Sequence, residues 1–205
     1  MRYILFLLFI SMAHAEDLSL ELSAGRSFFS HIHRDNYWCQ EGFECNRDLQ
    51  SGSWRLGISK KIDSKWSYSL SYLYLGESKV DSEVIPSDEV YEQCLSGKKS
   101  ACYSPTARIN VKSRSQGLEL AAVREFAPLY VRGGLYLWEN KTHLRSQEIN
   151  LDEKFSGIIL APFIGMGVRY GYLFLEGTYY EGLGDGGFPI AKRAFTPMLG
   201  LRIPL

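Results

Sequence analysis

Residues 66–74 read WSYSLSYLY, and this stretch decides the fold. Its even positions carry large apolar or aromatic side chains, whereas serine stands at positions 67, 69 and 71. Alternation with a period of two predicts a β-strand that has one apolar face and one small, polar face. Seven further segments alternate in the same way, the first starting at Leu18 and the last ending at Leu205.

The two faces of these eight segments predict a narrow barrel. The second face mixes Gly, Ser and Ala with isolated Glu and Arg, which suits a lumen filled by side chains. We expect the apolar face to contact lipid. Its representatives, one from each strand, are Leu20, Leu56, Leu70, Leu120, Leu135, Val168, Leu175 and Leu201.

The connections between the segments alternate in length. Short turns are predicted near residues 63–65, 125–128 and 170–172, and long loops over 31–51, 79–106, 146–155 and 182–193. Short turns that alternate with long loops are typical of outer-membrane barrels, with the turns periplasmic and the loops outside. The fold class predicted is all-β, an eight-stranded antiparallel up-and-down transmembrane β-barrel.

The first fifteen residues predict export. A basic start at Arg2 precedes an apolar run over residues 3–10, and Ala13 and Ala15 form an Ala-x-Ala cleavage pattern. This layout is typical of a secretory signal peptide. We therefore expect residues 1–15 to be removed and residues 16–205 to form the barrel domain, in the outer membrane of a Gram-negative bacterium.

With these features the chain resembles the small eight-stranded outer-membrane barrels, which include the barrel of outer membrane protein A, outer membrane protein X and the attachment-invasion proteins. The resemblance covers residues 16–205 and rests on architecture. It implies assembly by periplasmic chaperones and the barrel-assembly machinery, contact with lipopolysaccharide, and a monomer. Chains of this kind usually end on Phe or Trp, whereas this one ends on Leu205. Pro162 and Pro197 fall inside strands, where we expect bulges.

Charged residues on the inward face predict a network in the lumen. Charges in a narrow lumen have to be paired, so we expect Glu119 to pair with Arg132 and Glu176 to lie close to Arg202. A gated pore and a plug both fit such a network, and the small diameter of eight strands favours the plug. The seven residues are Glu21, Arg55, Glu119, Arg132, Arg169, Glu176 and Arg202.

Four cysteines lie in two close pairs within polar loops. In an oxidising periplasm these predict two disulfides, Cys39–Cys45 and Cys94–Cys102. His31 and His33 precede the first pair, but their spacing does not match a metal site. We expect neither a metal nor a cofactor.

Two sets of residues leave an enzyme open as an alternative. His143, Ser146 and Glu148 could serve acyl transfer on lipid A, as could Ser30, His31, His33 and Asp35. Neither set matches a known motif, so no catalytic residue is assigned. A narrow pore for small or hydrophobic solutes is a third reading.

The exposed loops carry the remaining functional prediction. Tyr37 and Trp38 stand beside the first cysteine pair and could anchor a partner. Lys and Arg total 23, as do Asp and Glu, so the balanced charge argues against nucleic acid. We therefore predict a surface protein that acts through its loops, in adhesion, host or phage contact, or envelope structure.

Overall fold

The computed structural model describes residues 17–32, 39–40, 42–85, 106–147, 150–183 and 191–205. The predicted signal peptide lies outside these ranges. No helix long and apolar enough to cross a membrane is present in the described part of the chain.

Within the described residues, nine strands form one antiparallel sheet that closes on itself. β1 pairs with β3, β2 and β3 both pair with β4, the strands from β4 to β9 pair in chain order, and β1 pairs with β9 to complete the barrel. The strands are β1 Leu18–Ile32, β2 Cys45–Asp48, β3 Gln50–Lys61, β4 Trp66–Val84, β5 Ala107–Phe126, β6 Leu129–Ser146, β7 Leu151–Tyr170, β8 Leu173–Tyr180 and β9 Ala191–Pro204.

β2 and β3 occupy a single position in the barrel wall, one after the other along β4. Both β2 and β3 pair with the same edge of β4, β3 with residues 67–74 and β2 with residues 79–82. Only Leu49 separates the two pieces. The barrel therefore has eight positions around its wall, and the predicted eight-stranded antiparallel barrel is confirmed.

We call the end of the barrel that carries the short connections 62–65, 127–128 and 171–172 the turn half, and the opposite end the loop half. In β4–β7 the turn half comprises residues 66–74, 117–126, 129–138 and 158–170. The loop half comprises residues 77–84, 107–116, 139–146 and 151–157. All three predicted short turns are present.

The turn half has the predicted alternation. Its apolar side chains face outward, as with Leu120 at 56% exposure and Ile164 at 61%. Serines of β4 and small residues of the other strands face the lumen and are buried. Aromatic side chains lie at both ends of the apolar band. Trp66 and Tyr170 are at the turn end, and farther along the Trp54 ring lies 5.5 Å from the Tyr72 ring at a tilt of 34°. An apolar band between aromatic belts is typical of a barrel wall in lipid.

The loop half is strand where loops were expected. β4 continues to Val84, β7 already begins at Leu151, and β2 lies inside the predicted first loop. The third predicted loop, 146–155, is thereby reduced to residues 147–150. These segments also alternate, but with the opposite polarity: Ile109 and Val111 face inward, and charged residues face outward. An outward apolar face, the pattern that predicts a membrane strand, is therefore absent from these segments.

A β-bulge in β4 marks the boundary between the halves. The register of β4 against β5 shifts between Tyr74 and Gly76, so outward positions change from even to odd numbers. Gly76 has φ +103°, and a Cβ there would lie 2.4 Å from the Ser51 side chain. A bulge of this kind favours glycine, because other residues rarely adopt positive φ.

The prediction of β-bulges at Pro162 and Pro197 is wrong. The registers of β6 with β7 at Pro162 and of β8 with β9 at Pro197 are regular. The Pro162 carbonyl accepts a hydrogen bond from the Glu181 N–H, just beyond the last residue of β8. An N–H group at this position would point to the same side as the carbonyl, where the hydrogen-bond ladder between β7 and β8 has already ended. Proline is therefore accommodated without a bulge.

Candidate functional site

The lumen of the turn half holds a buried cluster of four charges. Arg55 of β3, Glu119 of β5, Arg132 of β6 and Glu176 of β8 are each at most 3% exposed. Arg55 Nη1 lies 2.7 Å from Glu176 Oε1 and 3.7 Å from Glu119 Oε1. Arg132 Nη1 lies 3.0 Å from Glu176 Oε1, and Arg132 Nη2 contacts Glu119 Oε1. Two cations and two anions thus neutralise one another.

Hydroxyl groups complete the cluster. The Tyr180 hydroxyl donates to Glu119 Oε2 at 2.7 Å, and the Tyr130 hydroxyl donates to Glu176 Oε2 at 2.9 Å. The Thr178 hydroxyl donates to Glu176 Oε1 at 2.7 Å. Each carboxylate therefore has both cationic and hydroxyl partners, which is what a buried ion network needs to offset its desolvation.

A second charge cluster lies nearer the turn end. Arg202 Nε lies 3.3 Å from Glu21 Oε1, and Arg202 Nη1 lies 3.0 Å from Glu125 Oε1. Arg169 Nη1 reaches the same Glu125 oxygen at 2.6 Å. Arg202 therefore belongs to a different cluster from Glu176, contrary to the expectation that the two lie together.

Glu125 is the lumen residue that the sequence reasoning missed. It has the same inward parity on β5 as Glu119, so the alternation itself contained the signal. The predicted short turn at residues 125–128 includes Glu125, whereas β5 extends to Phe126. The seven predicted residues and Glu125 together supply four cations and four anions.

An apolar and aromatic layer lies above the four-charge cluster. Tyr180 packs its ring 5.4 Å from Tyr136 and 5.5 Å from Phe163, and Tyr136 stacks on Trp138 at 6.5 Å. Leu73, with no exposed surface, belongs to the same packed group. Below this layer, beside the charges, is a cavity of about 10 Å³, which is about the space of one water.

The interior of the loop half continues with a polar layer and then a second apolar cluster. Ser113 donates to Asn140 Oδ1 at 2.6 Å and accepts from Thr142 at 3.1 Å. Farther out, Val80 and Val111 pack in a cluster that the cysteines Cys39 and Cys45 also contact. The sulfurs of these two cysteines are joined in the predicted disulfide.

The outward face of the loop half is charged. A cleft of about 880 Å³ lies across β2, β4, β5 and β6. In the cleft and beside it, His143 Nε2 lies 2.7 Å from Asp152 Oδ1. The hydrogen bond with His143 lowers the pKa of the Asp152 carboxyl, and Lys154 acts in the same direction. The charged residues that line the cleft are Glu44, Asp81, Glu83, Arg108, Lys112, His143 and Arg145.

Two of the residues considered for acyl transfer lie on opposite faces of β6. His143 points outward, whereas Ser146 lies on the inward face and is 4% exposed. Ser30 and His31 lie in β1. The described residues hold no group of three or more His, Cys, Asp or Glu suited to a metal ion. The remaining candidates, His33, Asp35, Tyr37, Trp38, Cys94, Cys102 and Glu148, lie outside the described residues.

The fold is similar to that of Ail, the attachment invasion locus protein of Yersinia pestis. One crystal structure of Ail matches with a TM-score of 0.54 and 13% identity, over 92% of this chain and 98% of Ail. A second, in complex with the heparin analogue sucrose octasulfate, matches with a TM-score of 0.51 and 12% identity, over 91% of this chain and 98% of Ail. Neither a protein-family model nor a curated protein sequence matches the chain. The resemblance to small outer-membrane barrels is thus confirmed at the level of the fold.

Proposed function

We propose that this chain is an outer-membrane surface protein whose turn half anchors it in the bilayer and whose loop half works outside. The apolar band between aromatic belts supports the membrane position, and the charged outward face of the loop half suits water. Residues 1–15 would act as a cleaved signal peptide and residues 16–205 as the barrel. Passage through the periplasm would involve chaperones and the barrel-assembly machinery.

The lumen in this proposal is a plug. The observation that carries it is the succession of two closed layers, the four-charge cluster and the aromatic layer around Tyr136 and Tyr180. A hydrated pore would leave its charges facing water, whereas Arg55 and Glu119 are at most 1% exposed. The barrel therefore serves as an anchor, and recognition falls to the loop half.

The cleft on the loop half is the part we assign to an external ligand. Ail, which has the same fold, has been crystallised with a sulfated sugar analogue of heparin. By analogy we propose that this chain also binds ligands at its exposed end, as an adhesin or in another surface contact. The basic residues Arg108, Lys112 and Arg145 of the cleft can meet an anionic group on such a ligand, and the carboxylates Glu44, Asp81 and Glu83 in the same cleft can meet cationic groups.

Single-channel recording separates the plug from a pore. Refolded mature protein in planar bilayers should give no defined conductance. Opening both layers, by Tyr136→Ala, Trp138→Ala and Tyr180→Ala together with Glu119→Ala and Arg132→Ala, should open a water path and raise conductance. A triple change of outward loop-half residues, Lys79→Ala, Lys141→Ala and Lys154→Ala, is the control and should leave the bilayer silent. Defined conductance in the wild type, with ion selectivity altered by Glu119→Gln, would overturn the plug.

A further inference from the structure

Two arginines of the four-charge cluster each have one buried N–H group without a hydrogen-bond partner among the described residues. Arg55 is 1% exposed and Arg132 is 2% exposed. In both, Nη1 donates to Glu176 Oε1, whereas Nε donates to no acceptor. A charged donor that is buried in this way has lost its hydration without compensation. Buried polar groups that lack a protein partner are usually satisfied by an ordered water.

Both arginines line the same small cavity in the lumen. Its volume is about 10 Å³, which is about the least that holds one water. Arg169 lines the cavity as well, and its Nε is a third buried donor without a partner in the described part of the chain. Three such donors around one cavity of this size point to a small acceptor inside it.

The carboxylates in the lining decide between a neutral acceptor and an anion. Glu21 and Glu176 also line the cavity, and they are 7% and 3% exposed. A halide ion would meet these two anions with no proton to donate to them. A water can accept hydrogen bonds from guanidinium groups and donate to carboxylates at the same time. The four cations and four anions of the lumen also balance already, so a further ion would leave a net charge in the plug.

The cavity lies where the two charge clusters meet. Arg55, Arg132 and Glu176 belong to the four-charge cluster, whereas Glu21 and Arg169 belong to the cluster at the turn end. Among the described residues no ion pair joins one cluster to the other. A water in this cavity would therefore connect them.

We propose that one water molecule is bound in this cavity as a fixed part of the plug. It accepts hydrogen bonds from two of the three arginine Nε–H groups and donates to Glu21 and Glu176. The two clusters then form one hydrogen-bonded network of eight charges. The inference deepens the proposed plug and rests on it.

A crystal structure of the refolded residues 16–205, grown with bromide in place of chloride, is the direct test. We expect one density peak in the cavity, about 2.7–3.2 Å from two of the Nε atoms, and no anomalous signal at the bromine absorption edge. An anomalous peak would overturn the proposal and assign the cavity to an anion. A high-resolution map without a peak at this place would also overturn it, whatever positions the arginines take.

Two substitutions of Val123 give an independent readout of stability. Val123 lines the cavity and is 4% exposed. Val123→Ile adds a methyl group that takes the place of the water and leaves the Nε–H groups unsatisfied. Its urea midpoint of unfolding from vesicles should fall by about 0.5–1 M. Val123→Thr is the matched control, because it keeps the size and the β-branch and offers the water a hydroxyl. Its midpoint should stay within about 0.2 M of wild type.

A cavity without water predicts the reverse order of the two variants. The added methyl group would then gain contacts and keep or raise the midpoint, whereas the threonine hydroxyl would be buried without a partner and lower it. A fall in both variants would mean that the isoleucine is merely too large, and would likewise count against the water. Heat-shifted electrophoretic mobility checks that each barrel has formed. Defined conductance of the wild type refutes the plug and the water together, whereas a silent barrel that fails either test refutes the water alone.

Discussion

The turn half and the loop half of the same strands bury opposite kinds of side chain. Along β5, Glu119 faces the interior and Leu120 faces outward in the turn half, whereas Val111 faces the interior and Lys112 faces outward in the loop half. The backbone continues without interruption between them. What differs is the solvent outside the wall, so the polarity of the outward face records where lipid gives way to water.

The interiors of the two halves are consequently stabilised in different ways. In the turn half the apolar side chains face outward, and the lumen is filled with charged side chains that must be paired, such as Arg132 with Glu119. The loop half uses an apolar core around Val80 and Ile109, as a soluble sheet does. Substitutions of the same kind should therefore have very different effects in the two halves.

The largest difference should come from removing one partner of an ion pair. Glu119→Ala leaves Arg132 and Arg55 partly uncompensated in a dry lumen, which should cost about 3–5 kcal/mol of folding free energy. The matched change in the loop half, Glu139→Ala, breaks an exposed pair with Lys141 and should leave the free energy of unfolding nearly unchanged. Urea unfolding from lipid vesicles measures both.

A double-mutant cycle sharpens that comparison. Glu119→Ala together with Arg132→Ala should recover part of the loss, because no lone charge remains. Simple additivity of the two single changes would show that water screens the cluster, and would count against the plug.

Next in size is an arginine on the outward face. Ile164→Arg places a charge near the middle of the apolar band and should cost about 2–4 kcal/mol in bilayer folding. Ser156→Arg lies on the same strand and face, eight residues away in the loop half, and should change stability by less than about 0.5 kcal/mol. Similar costs at the two sites would contradict the boundary drawn between lipid and water.

A smaller and local effect is expected from the disulfide. Its six-residue separation limits the loop-closure gain, so Cys39→Ser with Cys45→Ser should remove about 2 kcal/mol of order from β2. Amide exchange of β2 should accelerate, while that of β8 in the turn half stays unchanged. Mass spectrometry of the unreduced wild type should also find Cys94 joined to Cys102. Loss of membrane insertion in the serine variant would show that the two halves do not fold separately.

The smallest effects concern two exposed carboxyls, one at each end of the barrel. The backbone N–H groups of Lys65 and Trp66 lower the pKa of Asp63, and the hydrogen bond with His143 lowers the pKa of Asp152. A lowered folded-state pKa adds stability above the unfolded value of about 3.9, and this stability is lost as pH falls through the folded value. By NMR titration, His143→Gln should move the midpoint of Asp152 upward and leave that of Asp63 in place. A shift at both would deny that the His143 contact is the cause.

The sequence was informative where the outward face is apolar. The period of two placed Leu120 outside and Glu119 inside correctly, and the three short turns followed from it. It did not predict the strands of the loop half, because their apolar side chains face inward. On β5, for example, Ile109 faces the interior, whereas Arg108 and Asn110 face outward. The rule that apolar side chains face outward holds where the wall contacts lipid and is reversed where it contacts water.

Register was beyond the sequence, and with it the composition of the charge clusters. Glu119 stands opposite Tyr136 on β6, and Arg132 stands opposite Val123, so the ion pair between them is diagonal. Long side chains bridge that offset, so the predicted pair forms, although its diagonal geometry did not follow from the sequence. The division of the charges into two clusters likewise follows from strand stagger around the closed barrel.

The unequal strand lengths give the molecule a front and a back in the plane of the membrane. β4–β7 have 18 to 20 residues each, whereas β8 has 8 and β9 has 14. Among the described residues, the strands therefore extend farther along the arc formed by β4–β7 than along the arc formed by β8 and β9. The two sides of the barrel are therefore not equivalent for a neighbouring molecule in the bilayer. One side presents long strands with a charged outward face, and the other presents shorter strands.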